Sequence, residues 1–523
     1  MNVKTFDLSF IIFSILISIF GAIIGMQLIT SLGITPNTSI IGALIAMLIA
    51  RIPIQLFYKY RSLENQNLIQ TSISAATFGA ANSLLIPVGI PYVMGLPELI
   101  VPMLIGAGIA LIIDALILYK VFDTSFFSAE ETWPPGVATA EALKAGDEGG
   151  KKAKILGLGI LGGIAGSYLG ISMSAFGVAF IGNIWALTMF GAGLLLNGYA
   201  EPLFGVNLGD YYIPHGMMIG AGIVALFQFI FSFIKIRNDK KEEANNAEQQ
   251  RQFTRTEEDL KKGIGFGFIL YVVGAAIVAI MGGLLAEMPV HQIVLFVLFA
   301  AFAALVTEII VGIAAMHSGW FPAFAVTLIS LIIGLILGFP PIALALLTGY
   351  TAATGPAFAD LGYDFRTGYL LRKGSTLEQE LYGRKLQLKS ALIGFGVAIV
   401  MVTLFANNFF AQDLVPPVDR IYAVTIESGL SGNVAIMLLL WAIPGAIIQF
   451  IGGSKRQMGI LLATGLLITN PIAGWAVLVG ILIRVTVIKL RGKEVENSMF
   501  TMAAGFIAGD ALYSFFSSIW KAR

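Results

Sequence analysis

Three long stretches of the chain, residues 62–119, 155–234 and 263–365, contain no lysine or arginine at all. Each is filled with apolar runs of about 20 residues, the length a helix needs to cross the hydrocarbon core of a bilayer. Only 12% of the 523 residues are charged, half of the roughly 25% that a soluble domain carries. A surface of that size could not be wetted by so few polar groups. The balance excludes an ordinary cytosolic enzyme and a disordered chain, and the absence of cysteine excludes a disulfide-stapled secreted scaffold. A net charge of +1 and three histidines also argue against a nucleic-acid partner and a histidine-rich metal site. The expected fold class is all-α, a polytopic integral membrane protein.

The remaining cations set the topology. Of 32 basic residues, 27 fall in six short stretches: Arg51–Arg61, Lys120–Lys154, Lys235–Lys262, Arg366–Lys389, Lys455–Arg456 and Lys489–Lys493. Basic residues stay on the cytoplasmic side, so neighbouring stretches should be separated by an even number of crossings. Two crossings fit before Arg51, two in 62–119, four in 263–365, two between Lys389 and Lys455, two between Gln457 and Ile488, and a last one over Ser498–Ile519. The first apolar run, Leu8–Thr30, is too long for a signal-peptide core. Residues 155–234 violate parity, with three runs where two or four are required. One of them should be re-entrant, or the stretch Ser174–Asp210 should contain a broken span. The expected total is about sixteen transmembrane helices, in two halves that a short shared segment relates to each other. The expected division is a membrane bundle over 1–236, a charged cytoplasmic linker over 237–262 and a second bundle over 263–523. Ser74-Ala75-Ala76-Thr77-Phe78-Gly79 resembles Thr351-Ala352-Ala353-Thr354-Gly355, as repeated halves would.

Ionisable side chains at membrane depth are costly and usually face a partner or an aqueous path. Asp114, Glu308 and Asp510 lie inside apolar runs, and Glu201 lies in the irregular stretch. An acid so placed can relay protons or meet a substrate cation, the reading taken for Glu308, or it can tie helices together, the reading taken for Asp114 near its cytoplasmic helix end. Arg484 reads as a snorkelling residue near a helix end. His317 opens the turn His317-Ser318-Gly319-Trp320-Phe321-Pro322 between two spans, where it could couple protons or serve as a loop residue. His215 and His291 have no ligand-like neighbours.

Three segments punctuated by proline and glycine look like discontinuous helices. They are Thr132-Trp133-Pro134-Pro135-Gly136-Val137, Thr348-Gly349-Tyr350 to Gly355-Pro356, and Ile443-Pro444-Gly445. Gly162-Gly163 and Gly282-Gly283 read as helix-packing contacts. No nucleotide-binding loop, catalytic constellation, cofactor motif or metal spacing is present in the sequence.

Four segments resemble the oligopeptide transporter family, which includes the yellow stripe-like metal-chelate branch. Thr132-Trp133-Pro134-Pro135-Gly136 with its small-residue helix is similar to the family's aromatic-Pro-small-Gly pattern. Leu63-Glu64-Asn65-Gln66-Asn67-Leu68-Ile69-Gln70-Thr71 resembles its Glu-Asn…Gln-Thr segment. Asp364-Phe365-Arg366-Thr367-Gly368-Tyr369 resembles its Asp-Leu-Lys-Thr-Gly-Tyr motif. Ala503-Ala504-Gly505-Phe506-Ile507-Ala508-Gly509-Asp510 resembles its closing motif, with Asp510 where the family has an acid. In the second half the family's Asn-Pro-Val-Ser-Gly is replaced by Met316-His317-Ser318-Gly319-Trp320-Phe321-Pro322, so peptide specificity does not transfer through that segment. The resemblance implies proton-coupled import of short peptides or metal chelates across the plasma membrane, without a cofactor. Glu308 and Asp510, with Asp114 and His317, are the expected coupling or substrate-binding groups. The Trp133–Gly136 segment, Trp320, Tyr350 and Gly368 are the expected gating or motif positions. A membrane-embedded lipid-modifying enzyme and a channel are the rival classes.

Overall fold

The computed structural model describes the chain except residues 1–5, 34, 36–37, 51–54, 132, 148–150, 245–252, 319–322, 430–431, 454–455 and 522–523. In chain order the helices are α1 (Leu8–Leu32), α2 (Thr38–Ala50), α3 (Leu63–Phe78), α4 (Ile86–Val93), α5 (Ile100–Val121) and α6 (Pro134–Asp147). Next come α7 (Lys151–Tyr168), α8 (Met173–Ile181), α9 (Ile184–Phe204), α10 (Ile213–Ala244) and α11 (Glu257–Met281). Then follow α12 (Leu284–Glu287), α13 (Val290–Ser318), α14 (Ala323–Ile336), α15 (Pro341–Ala353), α16 (Pro356–Leu371) and α17 (Leu377–Phe410). The chain closes with α18 (Pro417–Ser428), α19 (Asn433–Gly452), α20 (Met458–Leu466), α21 (Pro471–Arg491) and α22 (Glu496–Lys521). No strand forms among the described residues; this is the expected all-α polytopic architecture.

Among the described residues nine helical spans are long and apolar enough to cross a membrane, and Lys154–Tyr168, Ile213–Gln228 and Ala323–Ile336 are shorter apolar helices. Several of the other expected crossings fall on short helices, among them α2 and α20, and α18 is a short helix in a stretch where the sequence offers no crossing. In 155–234 the chain forms four helices, α7 to α10, and the middle pair, α8 and α9, is one apolar run broken at Gly182-Asn183. Asn183 makes that break by capping α9, its side chain accepting from the Trp185 and Ala186 amides. The Thr348–Pro356 segment is likewise discontinuous, ending α15 and starting α16. Pro444 differs from expectation: it sits inside an uninterrupted α19. A feature without a clear sequence signal is the π-helical turn Gly79–Leu85 that fuses α3 to α4.

Small residues carry the packing, as expected where lipid supplies no hydrophobic drive between helices. Gly159 and Gly163 of α7 face Gly505 and Gly509 of α22. A Cβ on Gly163 would stand 2.5 Å from the Phe506 carbonyl oxygen and 3.0 Å from the Gly509 Cα. Helices from the two sides of the charged segment interleave: α3 packs on α16 and α17, α1 on α17, α22 on α7, and α9 on α20 and α21. At the α16–α17 connection, Arg372 and the wholly buried Arg384 both bind Glu380, at 2.8 and 3.1 Å. The linker's far end is docked too, with Thr254 Oγ1 donating to Asp123 Oδ2 at 2.7 Å. The two most enclosed spans are the least hydrophobic of the nine. Leu63–Val93 and Pro341–Leu371 are 89% and 94% buried at hydropathies of 1.5 and 1.3. Spans enclosed by other helices are free to carry polar groups, and both of these contribute to the site.

Candidate functional site

A cavity of about 430 Å³ lies where the chain interrupts its helices. Asn82 of the π-helical turn, Gly182 and Asn183 of the α8–α9 break, and Pro356 after the α15–α16 break all line it. Backbone that departs from helix at membrane depth persists only against protein or an aqueous cavity. The volume falls within the 300–1,000 Å³ typical of small-molecule sites. Its acidic wall is Asp360, and no lysine, arginine or histidine is among its described lining residues.

Asp360 and Asp364 sit one turn apart on the same face of α16, as i, i+4 spacing dictates. Thr38 Oγ1 donates to Asp360 Oδ1 and Ser74 Oγ to Asp360 Oδ2, each at 2.9 Å. Ser39 Oγ donates to Asp364 Oδ1 at 2.9 Å, and the Gln70 amide donates to the same atom. Both carboxylates are buried, and Asp364 Oδ2 has no hydrogen-bond partner among the described residues. The donors come from the first turn of α2 and the polar face of α3, so these three helices are held together through one acidic helix face.

Behind the α15–α16 break lies a second acid cluster. Tyr271 Oη of α11 is 2.6 Å from Asp114 Oδ1 and 3.1 Å from Glu308 Oε2. A phenol has one proton to donate. With both acids ionised, one of those contacts would set lone pair against lone pair, so the arrangement has room for an additional shared proton. Asp114 Oδ2 accepts the Gly355 amide at 2.7 Å, and Tyr350 Oη donates to the Tyr271 carbonyl at 3.1 Å. Gly355 has φ +95°, and a Cβ there would press on Val311 at 2.9 Å. Only glycine meets both conditions at this hinge. The next residue, Pro356, is cavity wall, so the Asp114–Glu308 cluster and the cavity share one turn of chain.

The other expected residues are placed as follows. Trp133 (φ +33°) is wholly buried against Phe122 and Tyr363, its indole donating to the Ser128 carbonyl at 2.9 Å. Its amide donates to the Met316 carbonyl at 2.7 Å, which joins the Trp133 segment to the turn that His317 opens. His317 Nδ1 stands 3.6 Å from Glu131. Pro134 starts α6, Pro135 reaches the cavity, and a Cβ on Gly136 would stand 2.5 Å from the Tyr363 carbonyl oxygen. Gly368 gives way to the side chains of Gln387 and Arg372. Trp320 lies outside the described residues. Glu201 is exposed at the end of α9.

Asp510 and Arg484 turn out to share one short helix. Asp510 accepts the Ser174 amide at 2.8 Å, in the first turn of α8, and also the Ser167 hydroxyl. Arg484, expected to snorkel, is instead buried and donates to the Gly182 carbonyl at 2.7 Å and the Ala179 carbonyl at 3.3 Å, at the other end. The acid sits at the positive end of the helix and the guanidinium at the negative end, the arrangement the backbone dipole favours.

Tyr271, Asp360 and Asp419 are buried polar groups that sequence reasoning passed over as candidates. The spacing Asp360-x3-Asp364 was the available signal for one of them.

A family model described as OPT oligopeptide transporter protein matches residues 7–210 and 167–521, nearly the whole chain. No curated protein matches it.

Proposed function

The chain belongs to the OPT oligopeptide transporter family, and from that premise we propose that it is a proton-driven secondary carrier importing short peptides across the plasma membrane. The cavity is the observation that supports this reading most. Its acid, Asp360, suits the ammonium end of a peptide. Thr38, Asn183, Ala323, Pro356, Val418 and Gln457 stand at or beside the N-termini of six helices and line the same space. Helix N-termini carry partial positive charge and favour a carboxylate. A zwitterion with two separated ends matches such a lining; a bare cation or anion matches half of it.

Coupling follows from Asp114. While ionised, it holds the Gly355 amide through a charge-assisted hydrogen bond, worth about 1.5–3 kcal/mol, against about 0.5–1.5 for a neutral one. Protonation through Glu308 and Tyr271 therefore loosens the hinge beside Pro356 by roughly 1 kcal/mol. A bias of that size shifts a two-state equilibrium several-fold. The buried Trp133 segment, Pro135 beneath the cavity and the His317–Glu131 pair form the cytoplasmic closure in this reading. Asp510, paired by geometry with Arg484, positions α8 and hence the Gly182-Asn183 wall.

The test is uptake of radiolabelled trialanine by proteoliposomes under an acid-outside gradient, with other di- to pentapeptides and ferric nicotianamine as competitors. Peptides should compete and Glu308→Gln should remove the pH dependence. Transport that needs metal together with chelate and ignores peptides would replace this substrate assignment with the metal-chelate one.

A further inference from the structure

Asp419 is wholly buried, and neither of its carboxylate oxygens has a hydrogen-bond partner among the described residues. The local sequence explains why. An acid at the third position of a helix ordinarily reaches back to the amide of the capping residue. Here the cap is Pro416 and the first helical residue is Pro417, and proline has no amide hydrogen. Across the interface the carboxylate meets Gly89 of α4, whose missing side chain makes the room: a Cβ there would overlap an Asp419 oxygen. The adjacent cation does not help, because Arg420 turns outward to Asp413 at 2.7 Å.

The ionisable surroundings are otherwise sparse. Of the helices packed on α18, α4 brings Tyr92, which donates to the Phe410 carbonyl, and α15 brings Tyr350, committed to the Tyr271 carbonyl. From α10 comes His215, near Arg420, while α14 and α19 contain no titratable residue. On α18 itself are Arg420, Tyr422, whose hydroxyl donates to the Phe324 carbonyl, and Glu427. An ionised carboxylate left in this setting would cost several kcal/mol. A metal ion would need several oxygen ligands, and no group of three acidic, histidine or cysteine side chains that could hold one occurs among the described residues.

We propose that Asp419 is a proton-binding site of the transport cycle, loaded and sealed against Gly89 in this conformation and emptied when α18 turns toward the cavity. Val418 and Tyr422 of the same helix already line that cavity. At 100° per residue, Asp419 lies about 60° round the helix from Tyr422. A modest roll of α18, or withdrawal of α4, carries the acid from the dry interface to the cavity edge. The proline pair and the glycine thus perform one task, denying the carboxylate every partner except a proton while it is occluded. This rests on the proton-driven reading above and adds a second acid to it, on a different helix from Asp114.

Two measurements on the full chain in liposomes decide it. Infrared difference spectra of wild type minus Asp419→Asn, and minus Asp419→Leu, should show the carbonyl band of one protonated carboxylic acid near neutral pH. Trialanine uptake should accelerate on acidifying the outer medium in wild type, and Asp419→Asn, which mimics the loaded state, should lose that acceleration. Absence of the band from both difference spectra, or a wild-type pH dependence in Asp419→Asn, would overturn the proposal. A wild-type protein whose uptake ignores pH would instead sink the proton-driven reading, and the infrared band would still decide whether Asp419 holds a proton.

Discussion

Replacing Arg484 with methionine should release the short helix α8 while leaving the rest of the bundle folded. The guanidinium donates to the Gly182 carbonyl at 2.7 Å, to the Ala179 carbonyl at 3.3 Å and to Glu496 at 3.2 Å. Glu496 is partly exposed and can turn to water, so little is lost there. The shorter carbonyl bond is charge-assisted and contributes about 1.5–3 kcal/mol. The longer one adds less, and a cation at a partly buried helix C-terminus contributes about 0.3–2 kcal/mol. Local stability of α8 should therefore fall by about 2–4 kcal/mol. At 1.4 kcal/mol per tenfold, amide hydrogen exchange over 173–183 should speed up about thirtyfold to several hundredfold, if exchange there proceeds by local opening. Arg484→Lys should fall between, because an ammonium cannot span two carbonyls as a planar fork does. Arg484→Met with wild-type exchange across α8 would refute the clamp and restore a merely snorkelling arginine.

Further expectations are as direct. Gly163→Val should lower the thermal midpoint in detergent, since its side chain must displace the Phe506 carbonyl, at a cost of about 1–3 kcal/mol or more; Gly157→Ala, with open space around it, should be neutral or slightly stabilising. Tyr271→Phe should cost about 1–3 kcal/mol by removing the hydroxyl between two buried acids, read as a lower unfolding midpoint with an altered pH profile of uptake. At the N-terminus, the Lys59 ammonium and then the Phe10 amide hold the Asp7 carboxyl down at about 2, below its ordinary 3.8. A depressed folded value means the α1 cap stabilises the protein above about pH 4 and loses that contribution as pH falls toward 2. Asp7→Asn should lack this acid-sensitive component in unfolding scans.

Lipid-facing spans were easy to read because hydropathy reports exposure to lipid. For the same reason the site was hard to read. Pro341–Leu371 is enclosed by other helices and so needs no apolar surface; Asp360 and Asp364 therefore lack the apolar surroundings in sequence that make Asp114 and Glu308 conspicuous. The Gly355 break was visible, since Thr-Gly-Pro cannot continue a helix, and so was the α8–α9 interruption through the parity of basic loops. Asp114 and Glu308 were individually conspicuous, but their convergence on Tyr271 joins α5, α11 and α13, and no spacing along the chain encodes it. Arg484 and Asp510 lie on different helices, α21 and α22, and only the fold shows that they grip opposite ends of a third. Asp419 sits in a stretch that reads as loop, yet its Pro-Pro-x-Asp context already withheld the usual capping partner.

The natural absence of cysteine makes the decisive measurement clean. Ala352→Cys places a single thiol on the cavity wall, to be labelled in proteoliposomes by a membrane-impermeant maleimide. The account predicts labelling that trialanine slows, with protection lost when Asp360→Asn is added. Labelling indifferent to peptide at any concentration, or a thiol sealed from both sides at every pH, would contradict it.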